Sequence, residues 1–255
     1  MRIFKNLVES SDDYIDDKTA AAKAYNWLKA NYDTASEHDI ARYERIVAKS
    51  ADWSYEYAVE VLDGGQFKLG ESAIAESAEF SYWYANRVLG EPFKLGEPAI
   101  IETGWDGDFD EDYSFNSENL NWSWAVNYFN FIINVDVLPS DIYLKSLIQN
   151  RPDLFFIYHR HNHDVSHLFD DFVSVIAKDP KYERDVILLN DELTHKYIMT
   201  VYKDVYPRRA DLMKDDLGIT DPVHRYIAAY ISNLPIRGGI TGDPEIEALY
   251  KQEIL

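Results

Sequence analysis

Along most of the chain, apolar residues recur at intervals of three and four. Trp53, Tyr57 and Val61 fall at i, i+4 and i+8 with Ala58 and Leu62 beside them, and Phe80, Tyr84, Val88, Ala85 and Leu89 repeat that stripe. This is the period of an amphipathic helix. Ala20 to Ala30 is a strong helix former around Tyr25, Trp27 and Leu28. Trp122 to Leu138 is strongly apolar and stops at Pro139; it reads as a helix, with Phe131 to Val135 as an alternative short strand. Strict apolar–polar alternation, the mark of half-buried strands, is absent. The expected fold class is all-α.

Two of the helical stripes are copies. Ser50 to Ala58 is answered by Ser77 to Ala85, and Val61-Leu62 by Val88-Leu89, each 27 residues on. Phe67-Lys68-Leu69-Gly70-Glu71 returns as Phe93-Lys94-Leu95-Gly96-Glu97, 26 residues on, because Gly64-Gly65 is matched by Gly90 alone. Such a period marks stacked repeats. Within each unit Ser50 or Ser77 is a candidate N-cap, and Asp52 or Glu79 follows in the first turn, where the helix dipole favours an acid. Gly64 or Gly90 can supply the left-handed residue that ends the helix. Glu71 to Ile74 reads as a short second helix. One unit cannot bury its own aromatic stripe, but neighbours stacked together can. Fainter copies begin at Ile148 and Ile176. Pro152, Pro180, Pro222 and Pro244 each follow a polar residue, as at the first position of a helix.

The organisation expected is a helical-repeat, solenoid-like N-terminal half over residues 1–103, an acidic loop at 104–120, and an irregular helical region over 121–255. The segments Ile74–Ile100 and Ile176–Ile187 resemble short helical repeats in uncharacterised proteins of large tailed bacteriophages. In those repeats an apolar-Ala-Lys cap segment leads into Glu-Tyr-Ala-Tyr-x-Tyr-Ala and then Val-Leu-Lys-Gly-Arg-Phe. The likeness is fullest over about residues 44–102 and eroded elsewhere. Here Gly-Gln-Phe or Glu-Pro-Phe stands where the repeat has Gly-Arg-Phe, so a basic position is lost. The resemblance implies a repeat scaffold and a viral or prophage source, and it brings no catalytic residue.

Composition narrows the function classes. The net charge is −20, which repels phosphate backbones and anionic lipid surfaces. Residues 51–142 hold 18 acids against Lys68, Arg87 and Lys94. There is no cysteine, so disulfides, thiolate metal sites and thiol nucleophiles are excluded. The N-terminus has no signal-peptide pattern and no stretch approaches a membrane span. The expected location is the cytoplasm, a host's if the source is viral.

Three constellations could carry function. Asp106, Asp108, Asp110 and Asp112 alternate as in the first half of a calcium loop, but Glu111 stands where that loop needs glycine. Flanked by Trp105, they serve equally as a contact segment. His159, His163 and His167 would share one face of a continuous helix, and two His at i, i+4 can hold a divalent metal. His163-Asp164 also resembles the dyad of HD-domain phosphohydrolases, all-helical metal enzymes; their separate upstream histidine has no candidate here except His38. No nucleophile elbow is present. The reading that follows is a non-enzymatic protein–protein interaction protein without cofactor. Its acidic, aromatic surface would include Asp52, Glu56, Glu60 and Glu79 together with Trp105, Asp106, Asp108, Asp110 and Asp112. It would meet a basic protein partner, as a DNA-mimic inhibitor of a host nucleic-acid-binding or defence protein would. A metal-dependent hydrolase centred on His163 and Asp164, or a virion assembly component, are the alternatives.

Overall fold

The computed structural model describes residues 17–106, 123–161, 164–179, 182–203, 219, 221–233 and 239–255. Among these the fold is all-α, without strands. No helix is long and apolar enough to cross a membrane. Two compact units divide the chain between Tyr143 and Leu144.

In the first unit, α1 (Asp17–Asn31) buries Ala21, Ala24, Tyr25 and Leu28, one helical stripe. Helix α2 (Glu37–Val47) starts at Ser36, whose hydroxyl accepts the Asp39 N–H at 3.2 Å. Its Tyr43 stacks on Trp27 of α1 at 4.0 Å between ring centroids. Next come α3 (Ala51–Glu56), the short α4 (Glu71–Ile74), α5 (Ala78–Tyr84), α6 (Glu97–Glu102), α7 (Trp124–Ile132) and the start of α8 (Asp141–Asn150). The apolar run after Trp122 is thus a helix, and it ends by Ile133 instead of continuing to Leu138.

Helices α3 and α5 each run into a single π turn, Tyr57–Val61 and Ala85–Leu89. A π turn holds more residues per revolution, so it rotates the following side chains away from a 3.6-residue stripe. The buried set of α3 and its π turn is Ser54, Tyr55, Tyr57 and Ala58, while Trp53, before the turn, and Val61, within it, are only half-buried. The second copy matches it with Ser81, Tyr82, Tyr84 and Ala85. Gly64 and Gly90, at φ 78° and 66°, supply the left-handed turn after each.

What holds a unit together is a hydrogen-bonded pair that recurs. The Tyr57 hydroxyl donates to Glu44 Oε1 at 2.8 Å, Tyr84 to Glu71 at 3.2 Å, and Tyr128 to Glu97 at 2.9 Å. A phenol deep in the core requires a polar partner, and a carboxylate on the preceding helix supplies it. Beside each pair a small residue closes the hairpin: Ser54 donates to the Val47 carbonyl and Ser81 to the Ile74 carbonyl, both at 3.0 Å. The backbone N–H of Phe67 donates back to the Tyr84 hydroxyl at 2.9 Å, and that of Phe93 to Tyr128. Each phenol thereby fastens two segments.

Contacts from one unit of the repeat to the next recur as well. Tyr25 meets Trp53, Tyr55 meets Phe80, and Tyr82 meets Trp124, with centroids 5.0, 5.7 and 5.6 Å apart and interplanar angles of 35°, 38° and 37°. Phe67 sets its edge on Tyr57 and Phe93 on Tyr84. Gly70 lies against Ser54 and Gly96 against Ser81, so closely that a Cβ on either would overlap its neighbour. In the third instance Tyr143 meets Tyr128 as Phe67 meets Tyr57, with ring centroids 5.1 Å apart, and its hydroxyl donates to the Ala125 carbonyl at 2.8 Å.

The second compact unit holds the rest of α8, then α9 (Pro152–Arg160), α10 (Phe169–Ile176), α11 (Glu183–Leu189), α12 (Glu192–Val201), α13 (Pro222–Ser232) and α14 (Pro244–Glu253). Asp221 and Asp243 cap the last two, each followed by the proline that begins its helix. The carboxylate–phenol pair appears again: Tyr197 of α12 donates to Glu183 of α11 at 3.0 Å, with Thr194 donating to the Val186 carbonyl at 2.6 Å. Arg184 closes α11 onto the start of α14 through Asp243 at 2.7 Å and through Glu245.

Candidate functional site

The acidic candidates separate into two kinds. Asp52 accepts from the Ser50 hydroxyl, from Trp53 N–H at 3.0 Å, and from Lys18 at 2.9 Å. Burial works to raise its pKa, but the hydrogen bonds from Ser50 and Lys18 outweigh it and hold the carboxyl below its ordinary value. Ser50 spends its hydroxyl on that carboxylate instead of capping the helix. Glu60 accepts from Lys29 and from the Tyr25 hydroxyl, which lower its pKa. These two acids serve junctions between helices, so they contribute little free charge to a partner.

Glu56 and Glu79 are different. Burial, and then the charge of Glu60, push Glu56 above the ordinary carboxylate range. It is a half-buried acid lying next to another acid. Glu79 is exposed in the first turn of α5. The position equivalent to Glu60 in the second copy is Arg87, whose guanidinium lies 4.3 Å from the Trp83 ring centroid and donates to the Tyr55 hydroxyl at 3.4 Å. Exposed acids are also found at Glu76, Glu91 and Glu102.

The acidic aromatic segment enters the fold at a defined place. In two hairpins the bonded Glu and Tyr are 13 residues apart; in the third, Glu97 and Tyr128 are 31 apart and make the same bond. Eighteen residues are therefore interpolated into a unit that otherwise keeps its contacts. The base of the interpolation is pinned: Ser123 N–H donates to the Asp106 carbonyl at 2.9 Å, and Ala125 N–H to the Thr103 hydroxyl at 3.3 Å. Trp105 packs on Tyr143 at 5.3 Å, and Asp106 is exposed. Asp108, Asp110 and Asp112 lie outside the described residues. Across residues 105–122 the sequence carries six acids, five aromatics and no base.

The histidines do not line one helix. Helix α9 ends at Arg160, and a 3-10 turn, Ser166–Leu168, precedes α10, so His159 and His167 belong to different elements. Past the end of that helix, the Asp164 carboxylate accepts from the Ser166 N–H at 3.3 Å and hydroxyl at 2.9 Å, which lower its pKa. This is an Asx turn. His159 Nε2 is 2.7 Å from Asp191 Oδ2, the cap of α12, and its ring sits edge-on to Phe169. His163 lies outside the described residues. Among the described residues, no group of three His, Asp or Glu side chains is placed to hold a metal ion.

Two buried carboxylates were not among the sequence candidates. Glu97, fully buried, accepts from Tyr128, from Ser140 N–H at 2.9 Å, and from the Ser140 hydroxyl. Burial drives its pKa up against those bonds. Glu183 accepts from Tyr197 and faces His224 Nε2 at 3.0 Å. The one sequence signal for the first was the survival of Glu71 as Glu97 in both copies. Comparison with protein-family models, curated proteins and solved structures gives no match.

Proposed function

We propose that this chain is a non-enzymatic helical-repeat scaffold whose acidic, aromatic residues, above all those of the segment that begins at Trp105, meet a basic protein partner. The observation that carries the reading is the Glu97–Tyr128 bond, kept across eighteen extra residues. A segment that the hairpin does not need for its own closure is free to serve something else, and insertions into repeats commonly form the binding face. Its composition matches a basic surface, with aromatics to anchor the contact and carboxylates to steer it. Carboxylates carry the charge that phosphates carry, so the partner class we favour is a nucleic-acid-binding protein, in the cytosol of a bacterial host.

The test compares the full chain with a variant in which residues 107–122 are replaced by Gly-Gly, a span that fits the 2.9 Å closure between Asp106 and Ser123. Both are used as bait in a bacterial lysate at rising salt. The expected result is a basic partner retained by the full chain, released as screening increases, and lost by the variant at unchanged helicity and melting temperature. A partner that stays on the variant, or that ignores salt, refutes the proposal.

A further inference from the structure

Counted from the bonded tyrosine of each unit, the same places meet at every junction of the repeat. Tyr25, Tyr55 and Tyr82 lie against Trp53, Phe80 and Trp124 of the next unit, each four residues before its Tyr57, Tyr84 or Tyr128. Three residues after that tyrosine stand Glu60, Arg87 and Phe131. The first two tie their junctions with a polar contact: Glu60 accepts from the Tyr25 hydroxyl, and Arg87 donates to the Tyr55 hydroxyl at 3.4 Å. Phe131 has no polar atom on its side chain. The Tyr82 hydroxyl accepts instead from Asn86, four residues along its own helical run, at 3.3 Å.

The third junction presents rings where the first presents acids. Trp83 and Trp124 are half-buried, with centroids 6.4 Å apart, and the buried Tyr82 lies 4.8 Å from the one and 5.6 Å from the other. Phe131, also half-buried, follows Trp124 by seven residues, two turns along one face of α7. In the first unit the places of Trp83 and Phe131 are held by Glu56 and Glu60. One cation already uses this surface: the Arg87 guanidinium lies 4.3 Å from the Trp83 ring centroid, close enough to be attracted by the ring face. Trp124 directly follows Ser123, whose N–H closes the base of the interpolated segment on the Asp106 carbonyl. The rings are thus continuous in the chain with residues 105–122, which carry six acids and no base.

We infer that Trp124 and Phe131 of α7, beside the Trp83 that Arg87 covers, form a platform on which arginine side chains of the basic partner stack. A guanidinium is planar and weakly hydrated, so it can lie on a ring while its N–H groups reach carboxylates; a lysine ammonium is strongly hydrated and stacks less well. Carboxylates alone draw both cations, so the platform is what gives the surface a preference between them. The inference deepens the function proposed above and rests on the partner being basic.

The probes are fluorescein-labelled peptides of five Arg-Gly-Ser triplets and of five Lys-Gly-Ser triplets, titrated with the full chain at about 0.15 M salt and read by anisotropy. The arginine peptide is expected to bind several-fold more tightly. Trp124→Leu with Phe131→Leu, which keeps apolar bulk, should bring it down to the level of the lysine peptide and leave the latter unchanged. Arg87→Gln uncovers Trp83 and should widen the preference, whereas loss of a like charge alone would strengthen both peptides equally. Each variant is first checked for unchanged helicity; Arg87→Gln, at an exposed position, carries the test if the double variant does not fold. The inference is overturned if the two peptides bind alike, if the preference survives the double variant, or if Arg87→Gln leaves it unchanged. Sedimentation that shows self-association abolished by the double variant would also overturn it, assigning the rings to contact between copies of this chain. Equal binding of both peptides, lost when residues 107–122 are replaced by Gly-Gly, would remove the platform and leave the acidic display standing. An arginine preference that outlasts that replacement would support the platform and count against the display.

Discussion

Replacing Gly70 with alanine sets two effects against each other. Gly70 has φ −90° and ψ −8°, which alanine adopts freely, and the loss of unfolded-state entropy would favour alanine by about 0.4–1 kcal/mol. Against this, the new Cβ would lie 2.5 Å from Ser54 Oγ, 2.6 Å from Ser54 Cβ and 2.6 Å from Phe67 Cδ1. Carbon atoms rest at about 3.5–4.0 Å, so these neighbours must retreat by nearly an ångström. Neither is free to move, since Ser54 is bonded to the Val47 carbonyl and Phe67 is seated on Tyr57. Overpacking of this kind costs about 1–3 kcal/mol. The net expectation is a loss of roughly 1–2 kcal/mol, or a few degrees in the melting temperature of a unit this size. Urea denaturation of the full chain, followed by circular dichroism, measures it. Ser54→Gly made in the Gly70→Ala background should recover part of the loss, giving a favourable coupling. A Gly70→Ala protein that is as stable as the parent, or a cycle with no coupling, would show that the junction is not closed by this contact.

Three other expectations follow from the hydrogen bonds. Tyr84→Phe removes the acceptor of the buried Phe67 N–H and the donor to Glu71, so a loss of about 1–3 kcal/mol is expected in urea titration. Glu97 has a folded pKa raised by burial; the protonated form is the one the fold prefers. Its contribution is therefore greatest below the ordinary carboxylate pKa and declines as pH rises through the raised value, a decline that Glu97→Gln should flatten when stability is compared at pH 4 and 7. Asp243 behaves oppositely: the Arg184 hydrogen bond holds its pKa down, so its contribution is present above the ordinary carboxylate range and lost as pH falls through the lowered value. Asp243→Ala should cost at least the typical ~1 kcal/mol of a cap at neutral pH and much less in strong acid, measured by thermal melts across that range.

How much of this was legible depends on whether the cause was local. Caps and stops were: Ser77 accepts the Phe80 N–H, Asp221 and Asp243 cap helices that open with proline, and Gly64 and Gly90 are left-handed. Each depends on residues within four positions of one another. The duplicated unit was legible for the same reason, as identity needs no structure to be seen. The stripe Trp53–Tyr57–Val61 was only half right, because the π turn begins at Tyr57 and rotates Val61 out of register; nothing in the composition of that turn announces it. The supposed histidine face failed because the helix that carries His159 ends at Arg160, and beyond it the Asp164 side chain bonds Ser166 in a turn. The Glu–Tyr pairs join residues on separate helices, and no periodicity reports a bond 13 positions long.

The pairs also separate the acids that packing uses from those it does not. Burying a carboxylate is expensive unless its oxygens are bonded, and the fold accepts that cost at Glu97 and Glu183, where a phenol donates to the acid. At Asp52 and Glu60 it instead pairs the acid with lysine across a junction. Acids with those duties are accounted for by packing alone. Among the acids without such a bond, Glu76, Glu79, Glu91, Glu102 and Asp106 are exposed, and the interpolated segment adds more without a compensating base. Mutual repulsion among them opposes folding, so a charge-neutral version of the same scaffold should be more stable than this one. Replacing Glu76, Glu79, Glu91 and Glu102 with glutamine together is expected to raise the melting temperature at low salt and to leave it unchanged at high salt. A lower melting temperature at low salt would mean that these carboxylates stabilise the fold, and the division between structural and displayed acids would have to be abandoned.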